Sequence, residues 1–439
     1  MEYNIVGKYN KDCKIFAETI EDDAMNLVYN ICNNPAFVNQ KIRIMPDIHL
    51  GKDICIGFSS TIDQNNPIIN PSHIGVDIGC TVSLIKVNGR LPKDKYALFE
   101  YEMKKLLPMG FNIHEQSIVI PRKFYDLCNL ELRKAKSMAN LINLYTVDED
   151  YIDVMCRRIG MDIGIFWKSL GTMGGGNHYF EYDEPDDDTK NYSYMNIHCG
   201  SRNFGLKVAK YWMNIANKPK HFDGSSWAKE IDNIKENYPK TEWNNMIKKR
   251  KEEMVTAHPS GYLVGSDVIG YLTDMVIAQT YAKFNHKTIM QIVKKAYKKV
   301  MNKQMDVIED IVSTHNYIDF SDMIIRKGAV SAKNGQKLVI PMNMRDGILI
   351  CVGKGNEDWN YTAPHGAGRL MSRSAAKESI DIEDYKKSMV GIYTTCVDNS
   401  TIDESPMAYK PMEEIISQIG PTVDIVEIAK PKINLKAGE

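Results

Sequence analysis

The stretch Ile74-Gly-Val-Asp-Ile-Gly-Cys80 constrains this chain more than any other. It reads as an apolar, β-like run that presents Asp77 and Cys80 together, between glycines that let other backbone approach closely. A carboxylate and a thiol so placed suit a divalent transition metal; a buried strand with one core cysteine is the competing reading. The rest of the chain shifts the balance. Single histidines recur in compact Gly/Asn/Ser settings: Gly-Gly-Gly-Asn-His178, Ile-His198-Cys-Gly-Ser-Arg, Thr-His315-Asn and Pro-His365-Gly-Ala-Gly-Arg. Imidazoles joined to one carboxylate and one thiolate make a transition-metal set, unlike the oxygen cages of calcium or magnesium.

Charge does not announce a partner, because 55 Lys and Arg offset 56 Asp and Glu to leave a formal charge of -1. Any basic surface must therefore be local. With 43% hydrophobic residues the chain can bury a substantial core, and no apolar run is long enough for a membrane span. The first residues lack a signal-peptide pattern, and the 9 cysteines show no paired spacing, so reduced thiols in the cytoplasm are expected. No repeat or Pro/Gly/Ser-rich linker interrupts the chain. One continuous α+β domain over 1–439 is expected, with a mixed β-sheet core and a helical insertion at 218–305.

Along the chain, Ile42 to His49 reads as a strand whose end exposes Asp47 and His49, and strands follow at Cys55–Ile62 and Ser72–Val87. Residues 93–107, 122–142 and 151–169 have helical periodicity. The glycine-rich loop before Asn177, His178 and Glu181 must bring backbone close to something, and its amides could cradle phosphate. Arg202 stands just ahead of a helix beginning at Leu206, a natural oxyanion position. A long helix from Asp267 to Met301 carries Lys283, His286, Lys287, Lys294, Lys295, Lys298 and Lys299 on its polar faces, suited to a polyanion or simply to water. His114, His221, His258 and His286 lack a chemical neighbourhood and read as surface or core residues.

Taken in order, Met45-Pro-Asp-Ile-His, the Asp77/Cys80 stretch, Gly-Gly-Asn-His178-Tyr-Phe-Glu181, Ile-His198-Cys-Gly-Ser-Arg, His315-Asn, Arg326-Lys-Gly-Ala, His365-Gly-Ala-Gly-Arg and Asp403-Glu-Ser-Pro-Met-Ala-Tyr409-Lys resemble the RtcB RNA ligases. The resemblance covers nearly the whole chain and implies the RtcB-like fold. It implies a GTP- and manganese-dependent ligase that joins an RNA 3′-phosphate or 2′,3′-cyclic phosphate end to a 5′-hydroxyl end through a histidine–GMP intermediate. Carried over, His365 is the nucleophile, and Asp77, Cys80, His178, His198 and His315 hold two Mn²⁺. Asn177, Glu181, Asn316, Tyr409 and Lys436 contact the nucleotide, as do Pro341, Asn343 and Met344 and the run Gly366, Ala367 and Gly368. Arg202 and Arg369 hold phosphates, and Asp47 is the candidate base for the 5′-hydroxyl. An archease-like activator is a candidate partner and a monomer the expected state.

The chain also departs from the family pattern. Gly79 stands where asparagine is usual, Thr81 where glycine is usual, and Pro341-Met-Asn-Met-Arg-Asp-Gly347 replaces a small-residue Pro-Gly-Ser-Met-Gly segment. The resemblance implies RNA repair or tRNA splicing, and the departures suggest a divergent branch that acts on damaged tRNA or rRNA and not on a splicing intermediate. A metal-dependent phosphoesterase or nuclease without a nucleotide adduct is the alternative, and a non-catalytic RNA binder a third reading.

Overall fold

The computed structural model of the protein describes residues 2–217, 224–257 and 261–438, which leaves His221 and His258 outside the described residues. Two antiparallel-rich sheets and a long central helix give the expected α+β architecture. The larger sheet runs, in spatial order, Lys337–Asn343, Gly347–Gly353, Val423–Lys436, Tyr179–Pro185, Tyr192–Cys199, Thr81–Asn88 and Val307–Thr314. All its pairings are antiparallel. The second sheet runs Tyr3–Ile5, Cys13–Ile15, Ile42–His49, Ile56–Thr61, Ile324–Lys327 and Asn316–Asp319. A two-stranded ladder of Ala329–Ser331 and Thr362–Pro364 lies beside it and leads into His365.

Register explains why the chemistry gathers at one end of the larger sheet. Tyr179 pairs with His198, Thr81 with both Cys199 and Thr314, and Lys436 with Tyr179. The residues flanking those pairs, His178, Cys80 and His315, therefore leave neighbouring strands at the same level.

Local structure differs from the sequence reading in two places. Ile74 to Cys80 is a turn following a 3₁₀ segment at Pro71–His73, not a strand, and Gly79 takes φ 73° there with Gln279 Cα where a side chain would begin. The stretch read as a helix at 151–169 is two, Glu149–Ile159 and Ile163–Lys168, divided at Gly160, which caps the first with φ 68°. That is the left-handed conformation glycine adopts without penalty.

Within 218–305, the helices Gly224–Asn237 and Trp243–Ala257 contact each other, whereas the helix Ser266–Met301 runs through the core. Tyr271 and Tyr281 are fully buried there, and the helix packs on Tyr96–Leu106, Pro121–Met138 and Arg202–Asn217. His286 is buried on this helix, not on its polar face, because its ring meets Ser83 Oγ at 3.0 Å and the Cys199 carbonyl at 2.7 Å.

Candidate active site

Four strand ends and one turn deliver the metal-type ligands. Cys80 Sγ lies 3.5 Å from His178 Nε2 and 3.3 Å from His198 Nε2, and His198 Nε2 lies 3.3 Å from His315 Nε2. Asp77 Oδ2 meets His178 Nε2 at 3.0 Å, while its Oδ1 accepts from the Ser201 amide and hydroxyl. All five expected ligands thus gather in one cluster, four of them buried and Asp77 partly exposed.

Electrostatics explain what that cluster lacks. Burial and the neighbouring imidazole of His315 push His198 well below its ordinary range, and burial with His365 does the same to His315. Both rings are neutral, with facing nitrogens that cannot both donate. Burial raises the Cys80 thiol to about 12. Asp77 is held at about 2: burial works the other way, but the His178 bond and charge and the Ser201 amide prevail. His178 differs: burial opposes its charge, but Cys199, Cys80 and Asp77 push its ring well above the ordinary range. Two neutral imidazoles, a third paired with a carboxylate, and a thiol make a donor set of transition-metal type, and the buried Nδ1 atoms of His178 and His315 have no hydrogen-bond partner. The residues present therefore fit a transition metal.

The glycine-rich loop serves this cluster. A Cβ on Gly174 would sit 2.0 Å from His178 Nδ1 and 2.6 Å from the Arg202 guanidinium, so the close approach is to the ligand ring, not to a phosphate. Arg202 opens the helix Arg202–Asn217 instead of preceding it, and it donates to Thr172 Oγ1 and the Gly110 carbonyl. It does not line the cavity described next. Asn316 is also scaffolding: its amide donates to the Asp77 carbonyl at 3.2 Å and accepts from Gly328 N at 3.0 Å.

His365 stands beside the cluster, its ring centre 4.9 Å from that of His315. Asp47 Oδ2 accepts from His365 Nδ1 at 2.6 Å and from its backbone amide at 3.1 Å. Asp47 is 0% exposed, so the carboxylate expected as a base for an incoming hydroxyl instead orients the histidine. With Nδ1 so engaged, the ring nitrogen left without this partner is Nε2.

His365 and His198 open onto a cavity of about 1170 Å³. Asn177, Glu181, Tyr409, Lys436, Gly366, Ala367, Gly368 and Arg369 line it, as do Pro341, Asn343 and Met344. The departing loop is the tip of a hairpin closed on itself, Asn343 Oδ1 accepting from the amides of Arg345 and Asp346. Glu404, given no role in the sequence reading, organises the far wall together with Arg373, one of the two arginines after His365 whose guanidiniums suit phosphate oxygens. Glu404 binds Lys436 at 3.0 Å, Tyr409 Oη at 2.7 Å, Arg373 at 2.6 Å and Arg369 at 3.3 Å. Although burial opposes ionisation, Lys436 and Arg373 draw its carboxyl down to about 2. Glu404 stood within a quoted motif, but only contact geometry links it to Arg373. Glu181 behaves oppositely: burial lifts it to about 7, against the pull of Asn434 and Lys436.

A sequence model of the family described as tRNA-splicing ligase RtcB matches residues 28–437. The chain belongs to the RtcB family. The RNA-splicing ligase RtcB1 of Escherichia coli (strain ATCC 25922) is 27% identical, aligned over 99% of this chain and 100% of that relative. The RNA-splicing ligase RtcB of Escherichia coli K12 is 26% identical over 99% and 100%. The tRNA-splicing ligase RtcB of Nanoarchaeum equitans is 24% identical over 93% and 91%. At such identity the RtcB assignment is carried by full-length coverage.

Proposed function

We propose that the protein is an RNA ligase of RNA repair or tRNA splicing, joining a 3′-phosphate or 2′,3′-cyclic phosphate end to a 5′-hydroxyl end at the expense of GTP. One observation carries the mechanism: a histidine tied at Nδ1 to a buried carboxylate, with its ring between a metal-type cluster and a nucleotide-sized cavity.

Asp77, Cys80, His178, His198 and His315 would hold two Mn²⁺, which supply Lewis-acid offset of phosphate charge when bound. The chain's own groups account for the rest. Asp47 keeps the proton on His365 Nδ1, leaving the Nε2 lone pair free to attack the α-phosphorus of GTP. A P–N bond forms as the α–β P–O bond breaks, and pyrophosphate leaves. An oxygen of the RNA 3′-phosphate then takes the GMP, restoring the imidazole. The 5′-hydroxyl oxygen next attacks that activated 3′-phosphate, GMP departs, and the hydroxyl proton passes to a base other than Asp47. Glu181, Lys436 and Tyr409 are the nucleotide-side contacts, and Arg369 is held ready for phosphate by Glu404 and the Asp403 carbonyl.

No helix among the described residues is long and apolar enough to cross a membrane, and we place the enzyme in the cytoplasm, where its thiols stay reduced. The test is end-labelled RNA with a 3′-phosphate and a 5′-hydroxyl fragment. Sealing that requires both GTP and Mn²⁺ is expected. Release of inorganic phosphate or shortened RNA without sealing would instead favour the phosphoesterase reading.

A further inference from the structure

The mechanism leaves the cations of the long helix Ser266–Met301 unused. Lys283, Lys287, Lys294 and Lys298 recur at helical spacing, which aligns them along one side. Glu131 occupies Lys283 at 3.0 Å, but no ion pair among the described residues engages Lys287, Lys294 or Lys298. Beside this stripe a second cavity of about 750 Å³ opens between the helix and the strands Thr81–Asn88 and Val307–Thr314.

Its walls have a definite chemistry. Met138, Met290, Val312 and Phe320 form an apolar slot, Lys287 and Lys294 stand among its lining, and Gly79 and Thr81, the neighbours of Cys80, also border it. Gln279 lines the same space, and its buried amide nitrogen donates to nothing. An unused buried donor is unfavourable unless something accepts from it. Three carboxylates share the lining: Lys283 and Lys134 hold Glu131, Arg326 and Lys333 hold Asp319, and Asp310 is half-buried within the field of Lys294 and Lys287.

A cavity with an apolar part to its lining, one free amide donor and ammonium groups matches a nucleotide unit, base inside and phosphates on the lysines. A chain of net charge -1 must concentrate its affinity for a polyanion locally. We propose that this second cavity takes one nucleotide of the RNA strand, its base against the methionines and its flanking phosphates on Lys287 and Lys294. This rests on the ligase reading and adds a place for the strand beyond its reacting ends. A free mononucleotide has the same chemistry, so the test separates the two.

The experiment uses the full chain and a labelled RNA with a 3′-phosphate, followed by binding over a salt series and by lysine acetylation read by mass spectrometry. In the wild type, RNA protects Lys287 and Lys294 from acetylation and AMP does not. The double variant Lys287→Gln/Lys294→Gln binds RNA about tenfold more weakly, with a salt slope lower by about two. Gln279→Met weakens RNA binding without altering that slope. Formation of the GMP adduct, which involves no RNA, is unchanged in all variants. Protection by AMP alone would assign the cavity to free nucleotide and overturn the proposal. So would equal RNA affinity and slope in the double variant, or a dimer of the wild type that this variant dissociates. If the wild type neither binds nor seals RNA, the ligase reading itself has failed, which is a separate outcome.

Discussion

His365 and Asp47 form the contact on which the proposed chemistry turns. The carboxylate at 2.6 Å fixes the tautomer that exposes Nε2, and it stays buried so that nothing else competes for it. Asp47→Asn should therefore slow adduct formation by about 10²–10⁴-fold, since an amide can present the wrong partner to Nδ1. Circular dichroism would show the fold retained, and single-turnover kinetics would report the rate. Glu181 gives a pH prediction. Its folded value of about 7 lies above the ordinary 4.5, so folding favours the protonated form, and stability from this group is lost as pH rises through that window. The ionised form is the stronger acceptor for a nucleotide's N–H groups. Nucleotide affinity, measured by titration calorimetry, should rise through about pH 7 in the wild type and stay flat in Glu181→Gln.

At the scale of elements, the central helix ties together two segments that lead to expected ligands. Asn285 accepts from the amides of Gly171 and Thr172 and donates to the Thr172 and Gly200 carbonyls, spanning the approaches to His178 and from His198. Asn285→Ala should lower metal affinity by about 10–100-fold while the helix remains folded, because support of the ligands is lost and not a ligand; Mn²⁺ titration followed by electron paramagnetic resonance checks it. Gly368, at φ 76° with the Asp47 carbonyl 2.4 Å from where a Cβ would stand, predicts that Gly368→Ala displaces Asp47 and costs about 1–3 kcal/mol. A lowered midpoint in thermal unfolding, together with slowed adduct formation, is the expected result.

These elements were unevenly legible in the sequence. Helical periodicity located the Ser266–Met301 helix within a residue, because its pattern is long and uninterrupted. Alternation misled at Ile74 to Cys80, where two glycines with positive φ turn the chain and apolar side chains fill a turn. The ligands announced themselves because few other arrangements place histidine, cysteine and aspartate among glycines. Glu404 and Arg373 did not, since an ion pair between distant segments leaves no mark in local composition. Nor did Asp47's true part: a strand-end carboxylate reads as exposed until the partner from residue 365 is in view.

For the molecule as a whole, the register of the larger sheet gathers the expected ligands at one end, and the two-stranded ladder delivers His365 beside them. A metal that binds this buried donor set in the folded chain and not in the unfolded one should stabilise the fold. Saturating Mn²⁺ is expected to raise the unfolding midpoint by an amount corresponding to about 2–4 kcal/mol, and a chelator to reverse it; Cys80→Ser should blunt the response. The measurement that bears most directly on the account is intact-mass spectrometry of the protein after incubation with GTP and Mn²⁺. The account predicts the mass of a single GMP, labile to acid, mapping to His365 and absent from His365→Ala. A wild-type protein that gains no GMP, or an adduct that persists in His365→Ala, would contradict it.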